Sequence, residues 1–358
     1  MRPWLLTPGP VELHPRARLV LAGPQRHHRG EAAARVFSRV REGLKAAFGT
    51  AGETLLLTGS GTAGMEALVG GLFRPGERVV VPVSGKFSER WAEIALARGL
   101  AVERLELEWG TVLDPEAVAA HVDGGVAGVF LTHSETSTGV LNPIAEIAAR
   151  VRAQNPEALV VVDAVTSLFV APFALDEMGL DAAVAGSQKG LMLPPGLAFL
   201  ALGPRALKRL QPYGYYLDLA RELKTQPRGQ AAFTPAINLI EAANAVLEVL
   251  LPELAAHQAE KAALNARLYT LGEAYGLRPV PPEGFESPAT VAFWLPEGMD
   301  AEAVKAAFLN EGLLIAGGQG RLKGKIFRIS LMGYFEPEQL EEVFARVERA
   351  FGAITGRF

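Results

Sequence analysis

Lys189 stands in Gly186-Ser187-Gln188-Lys189-Gly190, between an apolar run and Leu191-Met192-Leu193-Pro194-Pro195-Gly196. An ammonium held in such a segment loses hydration, which lowers its pKa and readies the amine for Schiff-base chemistry with an aldehyde. The competing reading is a lysine whose stem packs on apolar neighbours while its head reaches water. Asp163 closes the run Leu159-Val160-Val161-Val162. A carboxylate flanked by buried valines is costly unless a cation or a hydrogen-bond donor meets it, so Asp163 has such a partner or is an ordinary turn or helix cap.

Gly59-Ser60-Gly61-Thr62-Ala63-Gly64 follows a strand-like run and opens an apolar helix from Met65 to Leu72, aiming backbone N–H groups and a positive dipole end at an anion. The six residues also spell the G-x-G-x-x-G of a dinucleotide-binding turn, which needs an acid beyond the second strand to hold a ribose. That strand ends Val81-Pro82-Val83-Ser84, and Glu77 precedes it. A phosphate group therefore fits better than a dinucleotide, with a plain glycine turn capped by Ser60 or Thr62 as the alternative. His133-Ser134-Glu135-Thr136-Ser137-Thr138-Gly139 places several hydroxyls after Phe130-Leu131-Thr132, where they orient a bound ring or close a turn. Neither a His-Glu-x-x-His helix nor a Gly-x-Ser-x-Gly elbow occurs, and no metal site is predicted. In Lys325-Ile326-Phe327-Arg328-Ile329-Ser330-Leu331, alternation puts Arg328 with Ile326 and Ser330 on one face, toward solvent or as a bidentate clamp for a substrate carboxylate. Arg26-His27-His28-Arg29 meets an anionic group or is a solvated loop.

These residues need elements to hold them. From residue 30 to about 205, β-branched and leucine runs alternate with alanine-rich helical segments, the pattern of a mostly parallel sheet with helices on its faces. Strands are predicted at Thr54–Thr58, Arg78–Val83, Val102–Leu107, Val126–Thr132, Leu159–Asp163, Ala182–Gly186 and Leu197–Leu202. Ligands gather at strand carboxyl ends in such sheets, where several of the residues above lie. Pro235–Leu271 reads as a helical connector that Pro252 kinks or breaks. Beyond Gly276, strands at Thr290–Leu295, Leu313–Ala316 and Ile326–Leu331 and helices at Ala301–Glu311 and Glu336–Phe351 read as α+β. The expected division is an N-terminal arm over 1–15 near the active site, a large domain over 16–250 and a small C-terminal domain over 251–358.

Composition narrows the partners. With 358 residues, 49% of them apolar, the chain has the length of about two domains and enough apolar surface for a large core. Lys plus Arg number 35 against 39 Asp plus Glu, so no broad basic footprint invites nucleic acid or an anionic membrane. The absence of cysteine excludes disulfides, thiolate metal sites and a Cys nucleophile. The longest uncharged apolar run, 190–204, is shorter than the ~20 residues of a spanning helix. The first ten residues hold no apolar stretch of signal-peptide length, so a cytoplasmic protein acting on small molecules is expected.

In their order along the chain, Ser60-Gly61-Thr62, Glu135-Thr136-Ser137-Thr138-Gly139, Asp163-Ala164-Val165-Thr166-Ser167 and Gly186-Ser187-Gln188-Lys189 resemble the motifs of the class V aminotransferases. The nearest branch is the alanine-glyoxylate and serine-pyruvate aminotransferases. Leu6-Thr7-Pro8-Gly9-Pro10 and Phe327-Arg328-Ile329-Ser330 extend the resemblance over nearly the whole chain. It implies fold type I: a large domain with a mostly parallel seven-stranded sheet flanked by helices, a smaller α+β domain, and a homodimer with shared active sites. It also implies pyridoxal 5'-phosphate as cofactor. Lys189 is then the Schiff-base lysine and the base for the 1,3-proton shift, and Asp163 the partner of the pyridinium nitrogen. Thr136 meets the ring's phenolic oxygen and Phe87 stacks on the ring. Ser60, Gly61, Thr62 and Gln188 hold the phosphate, Val165 is a further cofactor contact, and Arg328 and Gly9 meet the substrate.

The chain departs from the family where a Thr-Pro reaches the neighbouring subunit's phosphate. It reads Gln230-Ala231-Ala232-Phe233-Thr234-Pro235, leaving Gln230 or Thr234 to substitute. The expected reaction moves the amino group of alanine, serine or aspartate to glyoxylate, pyruvate or 2-oxoglutarate in two half-reactions. For aspartate, Arg26-His27-His28-Arg29 is the candidate second cation. The alternatives are a lyase using the same cofactor and fold, a nicotinamide-dependent dehydrogenase using the glycine turn, and a catalytically silent binding module.

Overall fold

In the computed structural model, which describes residues 2–357, seven strands form one sheet: β1 (Glu53–Thr58), β2 (Arg78–Val83), β3 (Ala101–Glu106), β4 (Val126–Thr132), β5 (Leu159–Asp163), β6 (Ala182–Gly186) and β7 (Leu197–Leu202). The spatial order is β1-β7-β6-β5-β4-β2-β3. Only β7 runs antiparallel to its neighbours; all other pairings are parallel. The predicted strands agree with the observed ones to within a residue at either end, because each is a short apolar run bounded by turn residues.

Helices cover both faces, so the central strands are apolar without interruption. All five residues of β5 are buried, and alternate side chains feed two separate cores, Val160 and Val162 on one face and Leu159 and Val161 on the other. The edge strand β3 carries Glu103, Arg104 and Glu106, charges that discourage pairing with another chain. In register, Thr132 of β4 pairs with Asp163 of β5, and Asp163 pairs with Val184 of β6. The carboxyl ends of these neighbours therefore open side by side.

A smaller layer follows the sheet. Strands Val291–Trp294, Ile326–Ile329 and Ala316–Gly317 pair antiparallel in that order, packed against helices Ala301–Asn310 and Pro337–Thr355. Phe293, Phe308, Phe327 and Phe351 fill its core. The predicted strand Leu313–Ala316 divides: Ala316–Gly317 joins that sheet, whereas Leu313–Leu314 pairs parallel with Trp4–Leu5. The N-terminal arm is thereby stitched to this layer before it runs to the carboxyl end of the large sheet. The predicted connector is two helices, Ile237–Leu250 and Leu254–Ala274, broken around Pro252, which lacks the N–H a continuous helix requires. Helix Gly61–Leu72 begins four residues before its predicted start, directly on the glycine turn.

Candidate active site

Each element delivers one group to the same place. Just beyond β6, Lys189 is 8% exposed, and its Nζ donates to the Pro8 carbonyl of the N-terminal arm. Burial, reinforced by the charge of Arg328, lowers its pKa to about 8, with Asp163 opposing. A side chain on Gly9 would stand 2.6 Å from Lys189 Cε, and its φ of +121° is one that L-residues rarely adopt, so only glycine lets the arm pass the lysine.

At the end of β5, burial raises Asp163 to about 6, opposed by a hydrogen bond of 2.8 Å from the Val165 N–H to Oδ1. Its Oδ2 has no donor among the described residues, which leaves one carboxylate oxygen for a ligand. Ser60 is the N-cap of helix Gly61–Leu72 and makes no side-chain cap bond. Ala63 and Gly64 donate back to the Ser60 carbonyl, while the Gly61 and Thr62 N–H groups have no backbone acceptor among the described residues. Gln188 Oε1 is buried without a partner among the described residues.

Arg328 does not face solvent. It is 4% exposed, because the loop carrying Thr136 covers its side of the small sheet. Its Nε and Nη2 donate to the Gly317 carbonyl at 3.0 and 2.8 Å, and Nη1 donates to the Thr136 carbonyl at 2.9 Å. Three of the five guanidinium N–H groups are thus fixed, leaving one on each terminal nitrogen, the pair a carboxylate accepts. Burial lowers its pKa to about 10, with Glu135 opposing, so it stays cationic at neutral pH. The Thr136 hydroxyl donates to Thr166 Oγ1 at 2.7 Å and retains its lone pairs as acceptors.

The donor set fits pyridoxal phosphate. A desolvated amine suits its aldehyde, a buried carboxylate with an open oxygen suits its ring nitrogen, and a helix N-terminus beside the unpartnered Gln188 suits its phosphate. A family model described as "Aminotransferase class-V" matches residues 19–343. The chain belongs to the class V aminotransferases. An aspartate aminotransferase of subgroup IV from Thermus thermophilus superposes with a TM-score of 0.95 at 57% identity, covering 98% of this chain and 99% of its own. The L-aspartate–glyoxylate aminotransferase of Paracoccus denitrificans is 31% identical over 345 residues, 92% of this chain and 86% of its own. A protein of Anabaena cylindrica named soluble hydrogenase 42 kDa subunit is 35% identical over 357 residues, 96% of this chain and 92% of its own. The fold is that of the fold type I enzymes, and pyridoxal phosphate is the cofactor.

For a class V aminotransferase the dinucleotide reading of the glycine turn has no place. Glu77 sits at the amino end of β2, bound to the Arg74 N–H and to Arg209. Gln230 and Thr234 are exposed and make no hydrogen bond among the described residues. The Arg26–Arg29 segment is largely exposed, and its side-chain bonds go to Glu241 and within the segment. His133 is buried, and desolvation lowers its pKa to about 4, so it is neutral at physiological pH. No cluster of metal-ligating side chains occurs among the described residues.

Two residues were given no role by the motif reading. Glu135 is fully buried and has no cationic partner among the described residues. It accepts from the N–H groups of Phe87 at 3.2 Å and Ser88 at 2.9 Å, and from the hydroxyls of Ser88 at 3.1 Å and Ser137 at 2.6 Å. It thus caps helix Lys86–Ala97 from a distant loop, and a Cβ on the helix's own cap, Gly85, would overlap its carboxylate. Arg90 lies one turn after Phe87, with its guanidinium 4.9 Å from the ring centroid and Nη1 3.4 Å from Thr62 Oγ1. The i, i+3 spacing from Phe87 was the available signal for Arg90; no local spacing announces Glu135.

Proposed function

We propose that this enzyme carries the amino group of aspartate to glyoxylate or another small 2-oxo acid, through two half-reactions. The observation that carries the reading is the Arg328 fork, buried where its charge acts on Lys189 and with one N–H left on each terminal nitrogen. It suits the α-carboxylate of an amino acid whose reacting carbon is held near the lysine. Alanine and serine offer the same carboxylate. Aspartate is favoured because two similar proteins, from Thermus thermophilus and Paracoccus denitrificans, are named for it.

The roles follow from the environments. When bound, the cofactor supplies an aldehyde for the amine and a ring that accepts electron density from the substrate's α-carbon. Lys189 Nζ, whose pKa burial lowers to about 8, gives up its proton more readily than an ordinary lysine and would be the group that takes the proton from the substrate's α-carbon. Asp163 would hold a negative charge toward the cofactor's ring nitrogen, a cationic partner that would relieve its own desolvation. Thr136 would meet the ring's oxygen, Phe87 would stack on the ring, Ser60, Gly61, Thr62 and Gln188 would hold the phosphate, and Val165 would be a further contact. Gly9 gives substrate and lysine room.

Two copies share the sites in this reading. Tyr215 and Tyr216 are 68% and 46% exposed and pack around Phe233, beside the exposed Gln230 and Thr234, as an aromatic surface for the second copy would. Sedimentation of the purified enzyme as a monomer would remove this part. No helix among the described residues is long and apolar enough to cross a membrane, and we place the enzyme in the cytoplasm. The test of the reaction is to supply aspartate, alanine or serine with glyoxylate and measure glycine. The reading predicts glycine and oxaloacetate from aspartate at the highest kcat/KM; a higher kcat/KM for alanine or serine overturns the choice of aspartate, and no transfer from any donor to glyoxylate, pyruvate or 2-oxoglutarate overturns the reaction.

A further inference from the structure

We propose that Arg90 is a phosphate-binding residue of the cofactor site, supplying the cation that the glycine turn lacks. A phosphate monoester carries about −1.5 to −2 charges at neutral pH, whereas a helix N-terminus offers the equivalent of only about +0.5. Ser60, Gly61, Thr62 and Gln188 are all neutral. Of the nearby cations, the Lys189 amine is engaged by the aldehyde, and Arg328 is pinned to the Gly317 and Thr136 carbonyls on the small-sheet side. Charge balance at the turn therefore requires another group.

Arg90 meets that requirement by position and by what it lacks. It is half-buried and forms no ion pair among the described residues, although its helix neighbours Lys86 and Glu89 pair with each other. Among the described residues its only side-chain hydrogen bond is to Thr62, a residue of the turn, and it lies across the ring of Phe87. Its charge also reaches the interior, lowering the pKa of both Asp163 and Lys189. A half-buried guanidinium without a carboxylate partner, one hydroxyl away from an anion-binding helix end, is a site prepared for a dianion.

The test compares two ligands that differ only in the phosphate, 4-deoxypyridoxine 5'-phosphate and 4-deoxypyridoxine. Neither has an aldehyde, so Lys189 chemistry does not enter. Affinities for the full-length, cofactor-depleted chain are measured by equilibrium dialysis, and the ratio of the two within one variant is independent of the fraction of folded protein. Arg90→Gln is expected to weaken the phosphorylated ligand roughly ten- to a hundredfold, the range for a charge-assisted hydrogen bond, and to leave the other unchanged. Arg90→Lys should recover part of the loss, and Phe87→Leu should weaken both ligands alike. If Arg90→Gln weakens both ligands equally, the arginine acts through the Phe87 ring and the proposal fails; an unchanged ratio with unchanged affinities also overturns it.

Discussion

Removing the charge of Asp163 should stabilise the empty protein while disabling the loaded one. Asp163→Asn keeps the shape of the side chain and its acceptor for the Val165 N–H. Burial places the carboxyl at about 6 against an ordinary value of 3.8, and that gap corresponds to roughly 3 kcal/mol at 1.36 kcal/mol per pKa unit. A carboxyl whose folded pKa exceeds its unfolded one binds more protons when folded, so stability declines as pH rises from about 4 to 6, and the full cost persists above that window. The cofactor-free variant should therefore match wild type near pH 4 and exceed it by about 3 kcal/mol at pH 7.5. For a chain of 358 residues, an unfolding entropy of about 2.1 cal/mol/K per residue turns that into a Tm gain of roughly 4 °C. Differential scanning calorimetry of both proteins at several pH values reads it directly. A variant no more stable at pH 7.5 than at pH 4, relative to wild type, would refute the claim that Asp163 is a desolvated charge awaiting a cation. With cofactor bound the sign should reverse, because the ring nitrogen loses its anion, and kcat should fall by at least about a hundredfold.

Arg328→Lys keeps a positive charge but loses the fork, and kcat/KM for the amino acid should drop roughly ten- to a hundredfold without loss of bound cofactor, read from steady-state kinetics and cofactor absorbance. Glu135→Gln turns an acceptor of several N–H and O–H groups into one that also presents an amide donor to them; a loss of about 1–3 kcal/mol is expected in denaturant unfolding, and Gly85→Ala should destabilise through the same carboxylate. Gly9→Ala places a methyl against Lys189 Cε, so activity should fall sharply while the far-UV spectrum stays unchanged; an unaffected kcat would show that the arm does not crowd the lysine.

Much of this enzyme is written locally in its chain. The strands of the large sheet, the glycine turn that opens helix Gly61–Leu72, and the placement of Asp163 at the end of one buried strand and Lys189 just beyond another follow from runs of a few residues, because periodicity and turn chemistry act over that range. The order of motifs was enough to name the family and the cofactor. What the chain could not announce were partners far apart in sequence. Arg328 and the Thr136 carbonyl lie 192 residues apart, and Lys189 and the Pro8 carbonyl 181. Alternation along a short strand could not say whether Arg328 faced water or the cleft; the distant Thr136 loop packed against that face decided it. The pairing of Trp4–Leu5 with Leu313–Leu314 likewise has no local signature, since a two-residue strand exists only through its partner. Glu135 shows the same limit: its sequence neighbours give no hint of the helix it caps, and a carboxylate buried without a cation is tolerable only where folding brings N–H and O–H donors around it.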